Sequence, residues 1–157
     1  MAKPDSWRLD PASYPVSIAL QTRFQDMDIN GHINNVAFAA LFESGRVLLN
    51  TQMGLARGRA EGENTLVAAV SIAYLREGNY PDPVIVFQGI GPVGTSSFTI
   101  QQAMFQNDQC IATCDAIVAS RANGVAAPLK ADLRGALEAN QTRGHSAIVT
   151  PAGGATE

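Results

Sequence analysis

The feature that most limits how this chain can fold is one long apolar helix signal set among strand signals. Phe38, Leu41, Phe42, Gly45, Leu48 and Leu49 recur at three- and four-residue steps. Asn34 stands where an N-cap belongs, and Gly54 and Gly58 offer stops. The stretch is rich in Ala and Leu and nearly free of charge, which predicts a central helix with little solvent contact. Residues 16–24 alternate ahead of it, with Val16, Ile18 and Leu20 on one face. Four further strands are expected over 65–75, 84–89, 96–106 and 110–120. Turns separate the last three, at Gly91-Pro92-Val93-Gly94 and Asn107-Asp108. Such short connections force antiparallel pairing. Pro128 opens a short last helix with Leu129, Leu133 and Leu137 on one stripe. One helix on one five-stranded antiparallel sheet is an α+β arrangement.

The length, 157 residues, suits a single domain over residues 1–139. Residues 140–157 hold Gly144, Pro151, Gly153 and Gly154 without apolar periodicity and are expected to form a flexible tail. Only 16% of the residues are charged, against about 25% in an average soluble domain. One helix cannot cover both faces and edges of a five-stranded sheet, so the shortage of charge predicts a surface turned toward a second copy. The net charge of −3 argues against capture of nucleic acid. No apolar run is long enough to insert in a membrane. The polar start, residues 1–10, fits a cytoplasmic protein. Cys110 and Cys114 lie four apart in one strand. They should share a face more than about 7 Å apart, as reduced thiols.

Gly89-Ile90-Gly91-Pro92-Val93-Gly94 has the spacing of a dinucleotide fingerprint. A strand follows it instead of the helix N-terminus that would receive a pyrophosphate, so no nicotinamide or flavin site is expected. The chain has no P-loop and no Gly-x-Ser-x-Gly elbow, and no cofactor is implied. Residues 26–35 are the informative stretch, with two acids, three asparagines and one of two histidines. They sit ahead of a helix N-terminus, whose free N–H groups and positive dipole can hold an oxyanion. A carboxylate there can act as nucleophile or base toward an acyl group. The same residues make an ordinary turn and cap, so composition alone leaves both readings open. Asp26, Asp28 and His32 are a weak metal set, and no metal is expected.

The string Asp26-x-Asp28-x-x-Gly31-His32-x-Asn34-Asn35, followed by Phe38, Phe42, Glu43 and Arg46, resembles the hotdog-fold acyl thioesterases. These include the 4-hydroxybenzoyl-CoA thioesterase-like enzymes and the plant-type acyl-carrier-protein thioesterases. The resemblance implies a long helix wrapped by a curved sheet, in a homodimer or homotetramer with active sites between subunits. It implies an acyl-CoA or acyl-carrier-protein thioester as substrate and partner, with coenzyme A entering as substrate. Asp28 falls on the catalytic carboxylate, and Asn30 and His32 fall on further functional positions of the carrier-protein type. Tyr74-Leu75-Arg76-Glu77 looks like the setting of another catalytic glutamate, which makes Glu77 a candidate. Glu43 matches a helix glutamate that some relatives use, with a helix ion pair to Arg46 as its plainer role.

Backbone N–H groups near His32 to Asn35 would face the substrate carbonyl, with Gly31, Asn34 and Asn35 as substrate-binding residues. Ser96 and Ser97 would lie near the pantetheine or the partner helix, or are plain strand-start serines, and Phe38, Phe42, Met53 and Leu66 would line the acyl pocket or are plain core. Arg57, Arg59 and Arg76 are candidate phosphate contacts, or plain solvated charge. Two other activities fit the same fold: a non-catalytic acyl-thioester binding module, and a hydratase or dehydratase.

Overall fold

The computed structural model describes residues 3–54 and 59–146. The helix signal becomes α1, Asn35–Gln52, eighteen residues long. The Asn34 side chain caps it by accepting the Ala37 N–H at 2.8 Å. Gly54, with φ of 66°, follows its last turn. Six strands form one antiparallel sheet. They are β1 (Val16–Leu20), β2 (Glu63–Tyr74), β3 (Val84–Val93), β4 (Ser97–Gln106), β5 (Gln109–Ala122) and the two-residue β6 (Val125–Ala126). The order is β1-β3-β4-β5-β2, with β6 beside β5. α2 spans Ala131–Glu138 and α3 spans Arg143–Ser146. The sheet curls around α1 in the α+β arrangement of the hotdog fold.

Two apolar clusters fill the space between helix and sheet. Phe38, Phe42, Val84, Val86, Met104 and Cys114 belong to the first, Leu49, Ile90, Phe98, Ile100 and Leu137 to the second. Where the middle of α1 crosses the sheet, the core turns polar. Gln88 and Gln102 are fully buried there. Gln88 donates to the Gly45 carbonyl (2.9 Å), and Gln102 donates to the Phe42 carbonyl (3.0 Å) and to Gln88 Oε1 (2.9 Å). A Cβ on Gly45 would stand 3.1–3.2 Å from both glutamine side chains and from Val86, so this position requires glycine for close approach. Arg46 Nη1 donates to Gln102 Oε1 at 2.9 Å from inside the core, while Glu43 is exposed. The expected Glu43–Arg46 ion pair is therefore absent among the described residues, because Arg46 turns into the core toward Gln102 while Glu43 faces solvent.

Several boundaries differ from the sequence pattern. β3 continues through Gly89–Val93, with a register shift between Ile90 and Val93, so the glycine-rich turn is a strand. Gly89 and Gly91 fit there because Pro15 and Gln101 press against them. β1 stops at Leu20, and Phe24–Asp26 forms a 3₁₀ turn. β6 pairs back on β5 through Asn123-Gly124, both at positive φ. α2 starts at Ala131, three residues after Pro128. The two cysteines lie on opposite faces: Cys114 joins the helix-side core and Cys110 packs in a third cluster with Tyr14, Ala103 and Phe105. A register shift sets Met104 opposite Ala112 but Phe105 opposite Cys110, and that extra residue, Ile111, reverses the alternation.

The ends of the chain pack more than their composition suggests. Arg8 is buried on the outer sheet face, 2.8 Å from Asp115, and also donates to the Gln102 and Cys114 carbonyls and the Tyr14 hydroxyl. The expected tail is structured over its first residues. Asn140 and Thr142 bracket Ile90 with backbone hydrogen bonds, Thr142 is buried, and Gly144 packs on Trp7. Residues 147–157 lie outside the described residues. The far edge of the sheet is β2, where Leu66, Val67, Val70 and Tyr74 remain 39–49% exposed. No helix among the described residues is long and apolar enough to cross a membrane.

Candidate active site

The loop between β1 and α1 is built by its own polar residues. Asp26 is buried, with Oδ2 accepting the Arg23 N–H at 2.8 Å and Oδ1 2.9 Å from Arg23 Nη2. Its carbonyl accepts both the backbone N–H and the side-chain amide of Asn34, at 2.8 and 2.9 Å. Met27 bridges Ile33 across the loop. The Ile33 N–H donates to the Gly78 carbonyl at 2.7 Å, which ties the loop to the chain just past β2. Gly31 sits at φ of 82° with open space around it, the left-handed conformation that closes the turn.

Asp28 is the exposed acid of the pair. Its Oδ1 accepts the N–H of Asn30 at 2.8 Å and of His32 at 3.1 Å, and its own N–H donates to the His32 carbonyl at 2.8 Å. The His32 backbone bond, followed by the Asn30 bonds and the nearby imidazole, holds the Asp28 carboxyl below its ordinary value of 3.8. Asp28 lines an open cleft together with Asn35, Val36 and Ala40 of α1. Asn35 and Val36 are the first two helical residues, whose N–H groups an α-helix leaves without internal acceptors. An ionised carboxylate and a helix N-terminus thus face one solvent-filled space.

His32 Nε2 lies 3.1 Å from Glu77 Oε2. Asp28, Asn30, His32 and Glu77 are therefore drawn to one place, with Glu77 brought in by the Ile33–Gly78 link. Other expected residues sit elsewhere. The Asn34 amide is engaged at both ends, as helix cap and as clamp on Asp26, so it is a framework residue. Phe38 is buried, with its ring edge-on to Tyr74 at 5.3 Å, and belongs to the core. Ser96 and Ser97 lie at the opposite end of the sheet. Ser97 pairs with Ala119, and the Ser96 carbonyl accepts the Ser120 N–H. Arg59 is also at that end, Arg76 is at the Glu77 end, and Arg57 lies outside the described residues. Among the described residues no three His, Cys, Asp or Glu side chains gather to hold a metal ion. Sequence reasoning missed the Arg23–Asp26 clamp, although an acid three residues after the start of a turn was its local signal.

Residues 22–137 match the model of the thioesterase-like superfamily, from the start of the loop to the end of α2. The chain belongs to that superfamily. Its general chemistry is thioester hydrolysis. Solved structures repeat the fold. The PA5185 protein of Pseudomonas aeruginosa is 24% identical, with a TM-score of 0.74 over 84% of this chain and 95% of that one. A thioesterase of Thermus thermophilus, solved with coenzyme A and zinc, is 26% identical, with a TM-score of 0.72 over 81% and 94%. A predicted thioesterase of Bacillus stearothermophilus is 23% identical, with a TM-score of 0.72 over 80% and 95%. A search of curated proteins found no match.

Proposed function

We propose that the protein hydrolyses an acyl-CoA thioester and that Asp28 is the attacking carboxylate. The observation that carries this reading is the Asp28 side chain itself. It is ionised, exposed at the lip of the cleft, and held through one oxygen by two backbone N–H groups. Oδ2 is left for the substrate. An exposed, ionised carboxylate with one oxygen facing the cleft can reach the thioester carbon directly.

In this scheme Oδ2 forms a bond to the thioester carbon. The oxyanion develops toward the N–H groups of Asn35 and Val36, the C–S bond breaks, and the thiolate leaves to take a proton from solvent. Water then cleaves the mixed anhydride, releasing the acid and restoring the carboxylate. His32, oriented by Glu77, directs that water. The CoA form of the substrate draws support from the relative that was solved with coenzyme A. The exposed apolar edge of β2 supports a dimer paired through that strand.

Hydrolysis of a panel of acyl-CoA esters, beside the same acyl groups on a carrier protein, tests the substrate. Asp28→Asn keeps the turn's acceptor and removes the charge. Turnover at the wild-type rate by that folded variant would refute the assignment. A single turnover in ¹⁸O-water beside rapid-quench mass spectrometry tests the step: label entering Asp28 or a trapped acyl–Asp28 adduct supports the anhydride, and label confined to the product acid with no adduct argues for water attack.

A further inference from the structure

The connection from β2 to β3 touches the Asp28 loop and has no helix or strand of its own. A segment of that kind needs partners for its backbone groups from other parts of the chain. Over residues 79–82 side chains supply them. Gln21 Nε2 donates to the Pro81 carbonyl at 2.8 Å, and the Thr22 hydroxyl donates to the Asp82 carbonyl at 2.9 Å. The third side chain is that of Gln106, the last residue of β4. Its Oε1 accepts the Asn79 N–H at 2.8 Å, and its Nε2 donates to the carbonyls of Asn79 at 2.7 Å and Asp82 at 2.8 Å.

Gln106 stands just before the Asn107-Asp108 turn, where a polar side chain ordinarily meets water. It is instead 6% exposed. A buried primary amide needs acceptors for its N–H groups and a donor for its oxygen. Asn79 alone supplies one of each, so the amide docks on it as a neighbouring strand would, through paired N–H···O bonds. A glutamate here would set a carboxylate against two carbonyl oxygens. A methionine of similar length would make none of the three bonds.

Asn79 follows the two residues that reach the site. The Gly78 carbonyl accepts the Ile33 N–H at 2.7 Å, and Glu77 Oε2 lies 3.1 Å from His32 Nε2. Adjacent residues of the connection thus meet adjacent residues of the loop. The approach is close, since a Cβ on the buried Gly78 would stand 2.9 Å from Ile33 Cδ1 and 3.0 Å from Ile111 Cδ1. On the other side of Glu77, the N–H groups of Leu75 and Arg76 both donate to the Ile111 carbonyl, at 2.9 and 3.1 Å. The Glu77 side chain is largely exposed, so the backbone on which it stands fixes its carboxylate beside His32. That backbone is held by the Ile111 carbonyl before it and by Gln106 after it.

We infer that Gln106 is a positioning residue of the Asp28 site: its amide fixes Asn79, and through that backbone it sets Glu77 against His32 and Gly78 against Ile33. Gln106 does not line the Asp28 cleft and acts only through these residues. The part played by Glu77 in turnover rests on the thioesterase reading, whereas the clamp on the loop stands on its own bonds.

Native-state hydrogen exchange, followed by NMR without substrate, tests the clamp. In Gln106→Met the Asn79 and Ile33 amides should exchange about tenfold faster than in the wild type, while amides in the middle of α1 keep their rates. Unchanged exchange at Ile33, or the same acceleration throughout the protein, overturns the clamp and leaves the thioesterase reading intact. Kinetics test the consequence for turnover. Gln106→Met should lower kcat about fivefold with KM nearly unchanged, and the Glu77→Gln/Gln106→Met double variant should fall no further than Glu77→Gln alone. An unchanged kcat in Gln106→Met, or losses that multiply in the double variant, overturns action through Glu77. A wild type that hydrolyses no acyl-CoA removes the thioesterase reading and the Glu77 half with it, while the exchange rates still decide the clamp. Gln106→Asn, an amide one methylene shorter, serves in the same measurements where the methionine variant does not fold.

Discussion

The polar core beneath the middle of α1 and the polar loop at its N-terminus use similar chemistry to opposite ends. In the core, Gln88, Gln102 and Arg46 point their hydrogen bonds at one another and at helix carbonyls, away from water. In the loop, Asp26 and Asn34 complete the same kind of closed network. Asp28, two residues on, keeps one oxygen and an open cleft. Polar groups that finish their bonds inside the protein hold the fold. A polar group that the fold orients but leaves unfinished is available to a substrate. The contrast is sharpest between the two acids, since Asp26 is 3% exposed and its neighbour faces solvent.

Five measurements can break or sharpen this comparison. The largest effect should come from Asp28→Asn, which is expected to lower kcat by about a thousandfold while leaving the melting temperature nearly unchanged. Steady-state assays beside thermal unfolding check both halves, and a destabilised but active variant would erase the distinction between core and loop. Next, Gln102→Leu should lower stability by about 3 kcal/mol, because it leaves the buried Arg46 charge and the Gln88 amide without their partner. Denaturant unfolding measures this, and adding Arg46→Leu should recover part of the loss.

Asp26→Asn should then cost about 1–2 kcal/mol through the Arg23 contacts, with kcat per folded molecule little affected. The smallest change is Glu77→Gln, expected to lower kcat by about fivefold, as suits a pair whose acid is largely exposed. The Asp28 carboxyl itself should titrate by NMR with a midpoint below 3.8. Since the ionised form is the reactive one, activity is lost only as pH falls through that depressed midpoint. A midpoint above 3.8 would contradict the role given to the two backbone N–H groups.

Much of the fold was legible because it is written locally. The 3.6-residue period of α1, the Asn34 cap and the Asn107-Asp108 turn depend on neighbours a few residues apart, and each appears where the pattern placed it. The boundaries that moved depend on distant contacts. Residues 91–93 read as part of a turn by composition, yet they are strand because β4 pairs alongside them and Gln101 presses on Gly91. The shared face expected for Cys110 and Cys114 fails on one extra residue in the β5 ladder, which no local rule announces. Arg8, in a segment of polar composition, becomes buried because Asp115 lies opposite it in space, more than a hundred residues away.

The candidate site divides in the same way. The sequence by itself determined the loop: its acids, its left-handed glycine and its cap are coded within ten residues. The side-chain bonds of Asp26 to Arg23 that leave Asp28 as the free acid are local too, three residues apart; only the tertiary structure decided that Asp26 is buried. It also brought Glu77 to His32, since β2 ends where the Ile33–Gly78 hydrogen bond holds the loop. And it carried Ser96, Ser97 and Arg59 to the far end of the sheet, because strand order, and not sequence distance, sets which residues of an antiparallel sheet meet.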